Sequence, residues 1–169
     1  VTGELGGAMA GLRVLLREKQ EWEESGQDTF QPDLYEYEYV VGRQLAPAAR
    51  IDFIDKLKES GVRPTGMIEL GQGLLNGLQL LMNESNTGCE IFSPAVPIAL
   101  ETRRIADEMQ EDVDRYAFYG GEDYEMLFTL KEEDVEKLRA EFDDFTVIGE
   151  IRQADSGIVI NTGEERRKL

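Results

Sequence analysis

The chain has 169 residues, a length that fits one domain with a substantial core, and its 41% hydrophobic and 31% charged residues exclude a wholly disordered polypeptide. A formal net charge of -17 repels nucleic-acid phosphates and anionic lipid headgroups, so neither is expected as a partner. With no histidine and a single cysteine, Cys89, internal disulfides and ordinary zinc-hydrolase chemistry are excluded, and without a signal peptide or a run of roughly 20 apolar residues the chain reads as cytoplasmic.

Residues 5–23 place Ala8, Leu12, Leu15 and Leu16 at helical spacing, which predicts a helix with Trp22 covering its own apolar stripe. Residues 25–33 carry Gly26 and Pro32 among polar neighbours and read as an exposed loop. Residues 35–45 favour a helix, with Tyr35, Tyr37 and Tyr39 packed in the core and their hydroxyls reaching water. Pro47 is placed to open the next helix, whose stripe of Ile51, Ile54 and Leu57 ends at Gly61 and Pro64. The periodicity then changes: residues 66–70 form a short apolar strand, Gly71-Gln72-Gly73 a turn, and residues 74–82 a helix.

Residues 90–92 predict a strand, with Cys89 beside it as a small buried residue rather than a nucleophile, and residues 99–109 predict a helix with a charged face. Residues 125–130 alternate, which puts Met126, Phe128 and Leu130 on one face. A helix follows over residues 133–142, within a charge run that makes a solvated face, then strands over 146–151 and 158–160. Arg166, Arg167 and Lys168 read as a frayed tail. Strands interleaved with helices predict an α+β domain, a mixed β-sheet covered by helices, spanning residues 1–169. Val1 is not an initiator methionine, so the chain is expected to begin inside a longer reading frame or to have been processed.

Three segments carry the functional signal. The first is Val1-Thr2-Gly3-Glu4-Leu5-Gly6-Gly7, a glycine-rich start to a helix. The second is Met67-Ile68-Glu69-Leu70-Gly71-Gln72-Gly73-Leu74, a strand running into a turn where backbone amides can meet a ligand. The third is Gly120-Gly121-Glu122-Asp123-Tyr124-Glu125-Met126-Leu127-Phe128, paired glycines and two acids ahead of the alternating strand.

In this order the segments resemble the thiamine-monophosphate kinases, whose C-terminal part contains a V-T-G-D-L-G opening, an I-D-x-S-D-G-L loop and a G-G-E-D-Y-E-L-x-F segment. The resemblance extends to Arg43-Gln44-Leu45-Ala46-Pro47 with Ala49-Arg50, to Ser60-Gly61-Val62 with Pro64, and to Val147-Ile148-Gly149 with Ile151. It implies the C-terminal domain of an aminoimidazole ribonucleotide synthetase-like protein, with the N-terminal nucleotide-binding domain absent from this chain. The implied reaction of the complete enzyme phosphorylates thiamine monophosphate with ATP, using magnesium ions held by carboxylates to neutralise the phosphates.

By the same resemblance, Glu122 contacts the thiamine phosphate, Gly71 lies at the cofactor position, and Glu69 and Gln72 occupy metal-ligand positions. The family loop D-x-S-D-G stands here as Glu69-Leu70-Gly71-Gln72-Gly73: one acid is lengthened, a hydroxyl is deleted and the second acid is neutralised. Glu4 also replaces the usual Asp. Magnesium demands near-ideal octahedral oxygen geometry, so the loop is expected to bind it poorly or not at all, and the chain alone to bind no cofactor and not to catalyse. Two bland readings stand beside these: Glu69 as a solvated strand-end acid, and Glu122 with Asp123 as a polar turn. A second functional reading is a non-catalytic binding or scaffold module, naturally degenerate or engineered on this fold.

Overall fold

The computed structural model describes residues 1–26 and 32–169, so most of the loop expected over 25–33 lies outside the described residues. Helix α1 (Gly7–Ser25) turns its small residues inward, burying Gly7, Ala8, Ala10, Gly11 and Val14. This corrects the expected stripe, because Leu16 is 49% exposed and Trp22 is 46% exposed. The cause is the close approach of α2 (Glu38–Leu45): a Cβ on Gly11 would lie 2.0 Å from the Val40 carbonyl oxygen, so only small side chains fit between the helices. Tyr35, 84% exposed in a short 3₁₀ turn, is not a core residue, whereas half-buried Tyr37 packs beside Val40.

Pro47 does not open α3, which spans Ile51–Ser60. Arg50 sits outside the helix as its N-cap, held there by its contacts with Asp52, Asp144 and Glu125. Next come β1 (Gly66–Glu69), α4 (Leu74–Ser85), β2 (Gly88–Phe92), α5 (Leu100–Glu108) and α6 (Val113–Tyr119). The chain continues through β3 (Met126–Thr129), α7 (Glu132–Arg139), β4 (Gly149–Arg152), β5 (Ile158–Asn161) and β6 (Arg166–Lys168). The fold is α+β, and its strands divide into two sheets rather than one: antiparallel β1-β3, and a mixed sheet ordered β4-β2-β5-β6 with β2 and β5 parallel. Residues 1 and 2 tie β3 to the segment ahead of β4, Thr2 donating its amide to the Met126 carbonyl at 3.0 Å and Val1 accepting from the Thr146 amide at 2.8 Å. Thr146 therefore lies outside β4, which starts later than the sequence pattern suggested.

The basic end is not a frayed tail. Gly163, at φ +92°, allows a tight turn that returns β6 onto β5, and Arg166 pairs with Glu90 at 2.9 Å. Helix α6 has no counterpart in the sequence reading; its signal was Asp112, whose carboxylate caps the Asp114 amide at 2.9 Å ahead of buried Tyr116 and Ala117. Strand β3 separates two cores by its alternation. Leu127 joins Leu70, Leu74, Leu78 and Ile91, while Met126, Phe128 and Leu130 pack on Phe53, Leu57 and Phe145, with the Phe53 and Phe128 rings 4.7 Å apart. Each fully buried leucine here is worth about 1.5–3 kcal/mol over exposure. Among the described residues, no helix is long and apolar enough to cross a membrane.

Cys89 is buried in β2, and burial pushes its thiol up to about 11. At pH 8 a pKa three units higher leaves about one thiol in a thousand ionised. A disulfide reagent at pH 8 is therefore expected to titrate native Cys89 at least about 100-fold more slowly than the chain in denaturant. Equal rates would show that the thiol is activated or accessible.

Candidate functional site

The pairing of β1 with β3 continues past the strands and brings the second and third sequence segments together. Leu70 donates its amide to the Glu125 carbonyl at 2.8 Å, Tyr124 to Leu70 at 3.1 Å, and Glu122 to Gly71 at 3.1 Å. Glycines permit this contact of backbone on backbone. A Cβ on Gly73 would lie 2.7 Å from the Gly120 oxygen, and one on Gly121 would lie 2.8 Å from the Gly71 oxygen.

The first segment is tied to the third by two buried acids. Asp123 turns its carboxylate to the start of α1, accepting from the Gly6 amide at 2.8 Å and the Ala8 amide at 3.2 Å. It thereby satisfies orphan donors at the positive end of a 19-residue helix. Burial raises its pKa, and those two amides, with Arg43 nearby, oppose the rise. Glu125, only 2% exposed, accepts from the Thr2 hydroxyl at 2.6 Å and pairs with Arg50 at 2.9 Å and Arg43 at 3.1 Å. Gly3 lies so close that a Cβ there would fall 2.4 Å from a Glu125 carboxylate oxygen, and its φ of +50° also favours glycine.

This scaffold leaves Glu4 and Glu122 exposed, with the turn carrying Gln72 against the Glu122 loop. Glu122 and Tyr124 both have positive φ, +67° and +53°, a region that costs non-glycine residues of order 1 kcal/mol or more and is concentrated at functional sites. The Glu122 carboxylate accepts from the Gln44 amide nitrogen at 2.9 Å, and that of Glu4 accepts from the Tyr39 hydroxyl at 2.8 Å. Burial, and then the Glu4 carboxylate, push the Tyr39 hydroxyl well above the usual phenol range, so it stays a donor.

The sequence-designated positions fall as follows. Glu122 and Gly71 meet directly through the backbone bond. Glu69 ends β1 exposed, and the Gln72 side-chain oxygen is already engaged by the Asn76 amide at 2.9 Å. Among the described residues, no group of three acidic or cysteine side chains is placed to hold a metal ion. Sequence reasoning gave no role to Arg43, Gln44, Arg50 or Glu125, and it read Asp123 only as part of a polar turn with Glu122, whereas Asp123 is buried against the start of α1. A usable signal existed for Glu125: it shares the inward phase of Leu127, and an acid at such a position needs a buried cation.

A family profile for the AIR synthase related protein, C-terminal domain, matches residues 1–161, and the chain belongs to this family. It is similar to the thiamine-monophosphate kinase of Aquifex aeolicus (strain VF5), 30% identical over 159 residues that cover 94% of this chain and 46% of the relative. A crystal structure of thiamine monophosphate kinase from Aquifex aeolicus superposes with a TM-score of 0.75 at 27% identity, covering 95% of this chain and 48% of the other. A structure described as AaThiL complexed with AMPPCP and TMP shares the fold with a TM-score of 0.74 at 24% identity, covering 99% of this chain and 47% of that one. The chain thus spans about half the length of the curated relatives it matches.

Proposed function

We propose that this chain is the substrate-contacting C-terminal domain of a cytoplasmic kinase that transfers a phosphoryl group from ATP to thiamine monophosphate, giving ADP and thiamine diphosphate. The observation that carries the reading is Glu122, an exposed carboxylate held in a strained backbone against the Gly71 turn. A carboxylate so held can pair with the cationic ring of thiamine at little reorganisation cost. Gly71 offers close backbone approach at the cofactor position, and the similar structure described as AaThiL complexed with AMPPCP and TMP supports the choice of ligands.

The donor set at the Gly71 turn does not fit magnesium. Glu69 supplies one carboxylate, Gln72 an amide oxygen already committed to Asn76, and Gly71 no side-chain oxygen, whereas magnesium needs an octahedron of oxygens at short distance. The residues present here bind and orient substrate, and phosphate neutralisation belongs to other parts of a complete enzyme. By itself the chain is proposed not to catalyse.

Glu122→Ala is expected to weaken thiamine monophosphate binding about 10- to 100-fold, the range of one lost charge-assisted hydrogen bond, as read by calorimetry. Unchanged affinity would return Glu122 to a polar turn. The substitutions at Glu69, Gly71 and Gln72 favour a second reading, a non-catalytic binding module on the same fold. Joining the chain to the N-terminal half of the Aquifex relative and assaying thiamine-phosphate phosphorylation separates the two, since turnover excludes the second.

A further inference from the structure

We infer that Gln44 is a positioning residue for the Glu122 carboxylate, and that α2 is the element that sets the site's acidic groups; the inference rests on the reading of Glu122 as a substrate contact. The argument begins in α1. Gly7 and Gly11, one turn apart, form a seat for α2: a Cβ on Gly7 would meet the Arg43 side chain at 3.2 Å, and one on Gly11 would meet the Val40 oxygen at 2.0 Å and the Gln44 Cβ at 2.9 Å. Any larger residue at position 11 would drive α2 outward and carry Arg43 and Gln44 with it.

Seated there, α2 reaches Glu4 and the segment from Glu122 to Glu125 at once. One Arg43 nitrogen, Nη2, donates to the Glu4 carbonyl at 3.2 Å and to the Asp123 carbonyl at 3.1 Å, and lies 3.1 Å from a Glu125 carboxylate oxygen. Tyr39, one turn earlier on the helix, donates to the Glu4 carboxylate. Gln44 is half-buried and points its amide nitrogen at one oxygen of Glu122, at 2.9 Å. The main chain of Glu122 is already fixed by Gly71, so its side-chain torsions are what remains free, and this amide removes that freedom. A neutral donor suits the task. It orients the carboxylate without neutralising it, and so leaves its charge for a cationic ligand.

The test, run at about pH 8.5 so that an imidazole is neutral, compares the chain with Gln44→Leu, which keeps the bulk and removes the donor, and Gln44→His, which restores a neutral N–H at similar reach. Crystal structures and calorimetric titration with thiamine monophosphate are the readouts. In Gln44→Leu the Glu122 carboxylate is expected to leave its present place, and the ligand to bind about fivefold more weakly, the factor expected from one neutral hydrogen bond, with the melting temperature within about 2 °C. Gln44→His should recover both. A Glu122 side chain unmoved in Gln44→Leu, or an affinity equal to that of the parent, overturns the inference. If Glu122→Ala leaves affinity unchanged, or the parent chain does not bind thiamine monophosphate, the functional reading of Glu122 falls instead, and the crystal comparison alone decides whether Gln44 positions it.

Discussion

Glu125→Ala is expected to destabilise the fold by about 3–5 kcal/mol, the cost of breaking a buried ion pair by removing one partner. The side chain is 2% exposed and is the point at which three distant parts of the chain meet: Thr2 before α1, Arg43 at the end of α2 and Arg50 before α3. Its loss is uneven among them. Arg50 keeps Asp52 at 3.0 Å and Asp144 at 2.6 Å, whereas among the described residues Arg43 retains a single acidic partner, Asp123 at 3.9 Å, beside its bonds to the Glu4 and Asp123 carbonyls, and its buried Nε has no partner there. Arg43 thus becomes a largely uncompensated cation in a confined place. Glu125→Gln keeps the shape and one acceptor, and should cost less, about 2 kcal/mol. Against a total stability of about 5–15 kcal/mol, urea unfolding resolves both changes. A loss below about 1 kcal/mol for the alanine variant would mean that water reaches the arginines and that the network is not the site's foundation.

This network also marks where sequence reading stopped. Elements whose burial follows one clean period were legible: β3 from the alternation of Met126, Phe128 and Leu130, and α4 from Leu74, Leu78 and Leu81. Short elements that depend on a partner were not. Strand β6 is Arg166-Arg167-Lys168, which has no strand character alone and exists because β5 and Glu90 receive it. Helix α1 misled in the opposite direction, since its leucines suggested the inward face and the glycines that admit α2 defined it. Within the site, the three glycine-bearing segments could be read because a backbone turn must be built from local residues. Gln44 reaches Glu122 across 78 positions and Arg50 reaches Glu125 across 75, and nothing in the spacing of polar residues foretells such pairings.

Restoring the family loop with Glu69→Asp, Gly71→Ser and Gln72→Asp together, in the chain joined to a nucleotide-binding half, is expected to raise magnesium-dependent phosphorylation about tenfold or more. Tenfold corresponds to roughly 1.4 kcal/mol of transition-state stabilisation, a small part of what metal ions supply to phosphoryl transfer. The surroundings admit all three changes. A Cβ on Gly71 would meet only Tyr124, at 3.8 Å, an ordinary contact, and Gly71 is not among the positive-φ glycines, so serine fits without strain. Glu69 is exposed at the end of β1, where losing one methylene draws the carboxylate back toward the turn. Aspartate at position 72 gives up the bond to Asn76, worth no more than about 1 kcal/mol at the surface, and gains the charge that an amide lacks. Gly73 and Gly121 must stay, because the backbones they touch leave no room for a side chain. Steady-state rates and a calorimetric magnesium titration of the same variant divide the outcomes. A gain in both places the defect in the three side chains, a gain in affinity without rate places the remaining defect in substrate orientation, and no gain in either refutes the account of the loop.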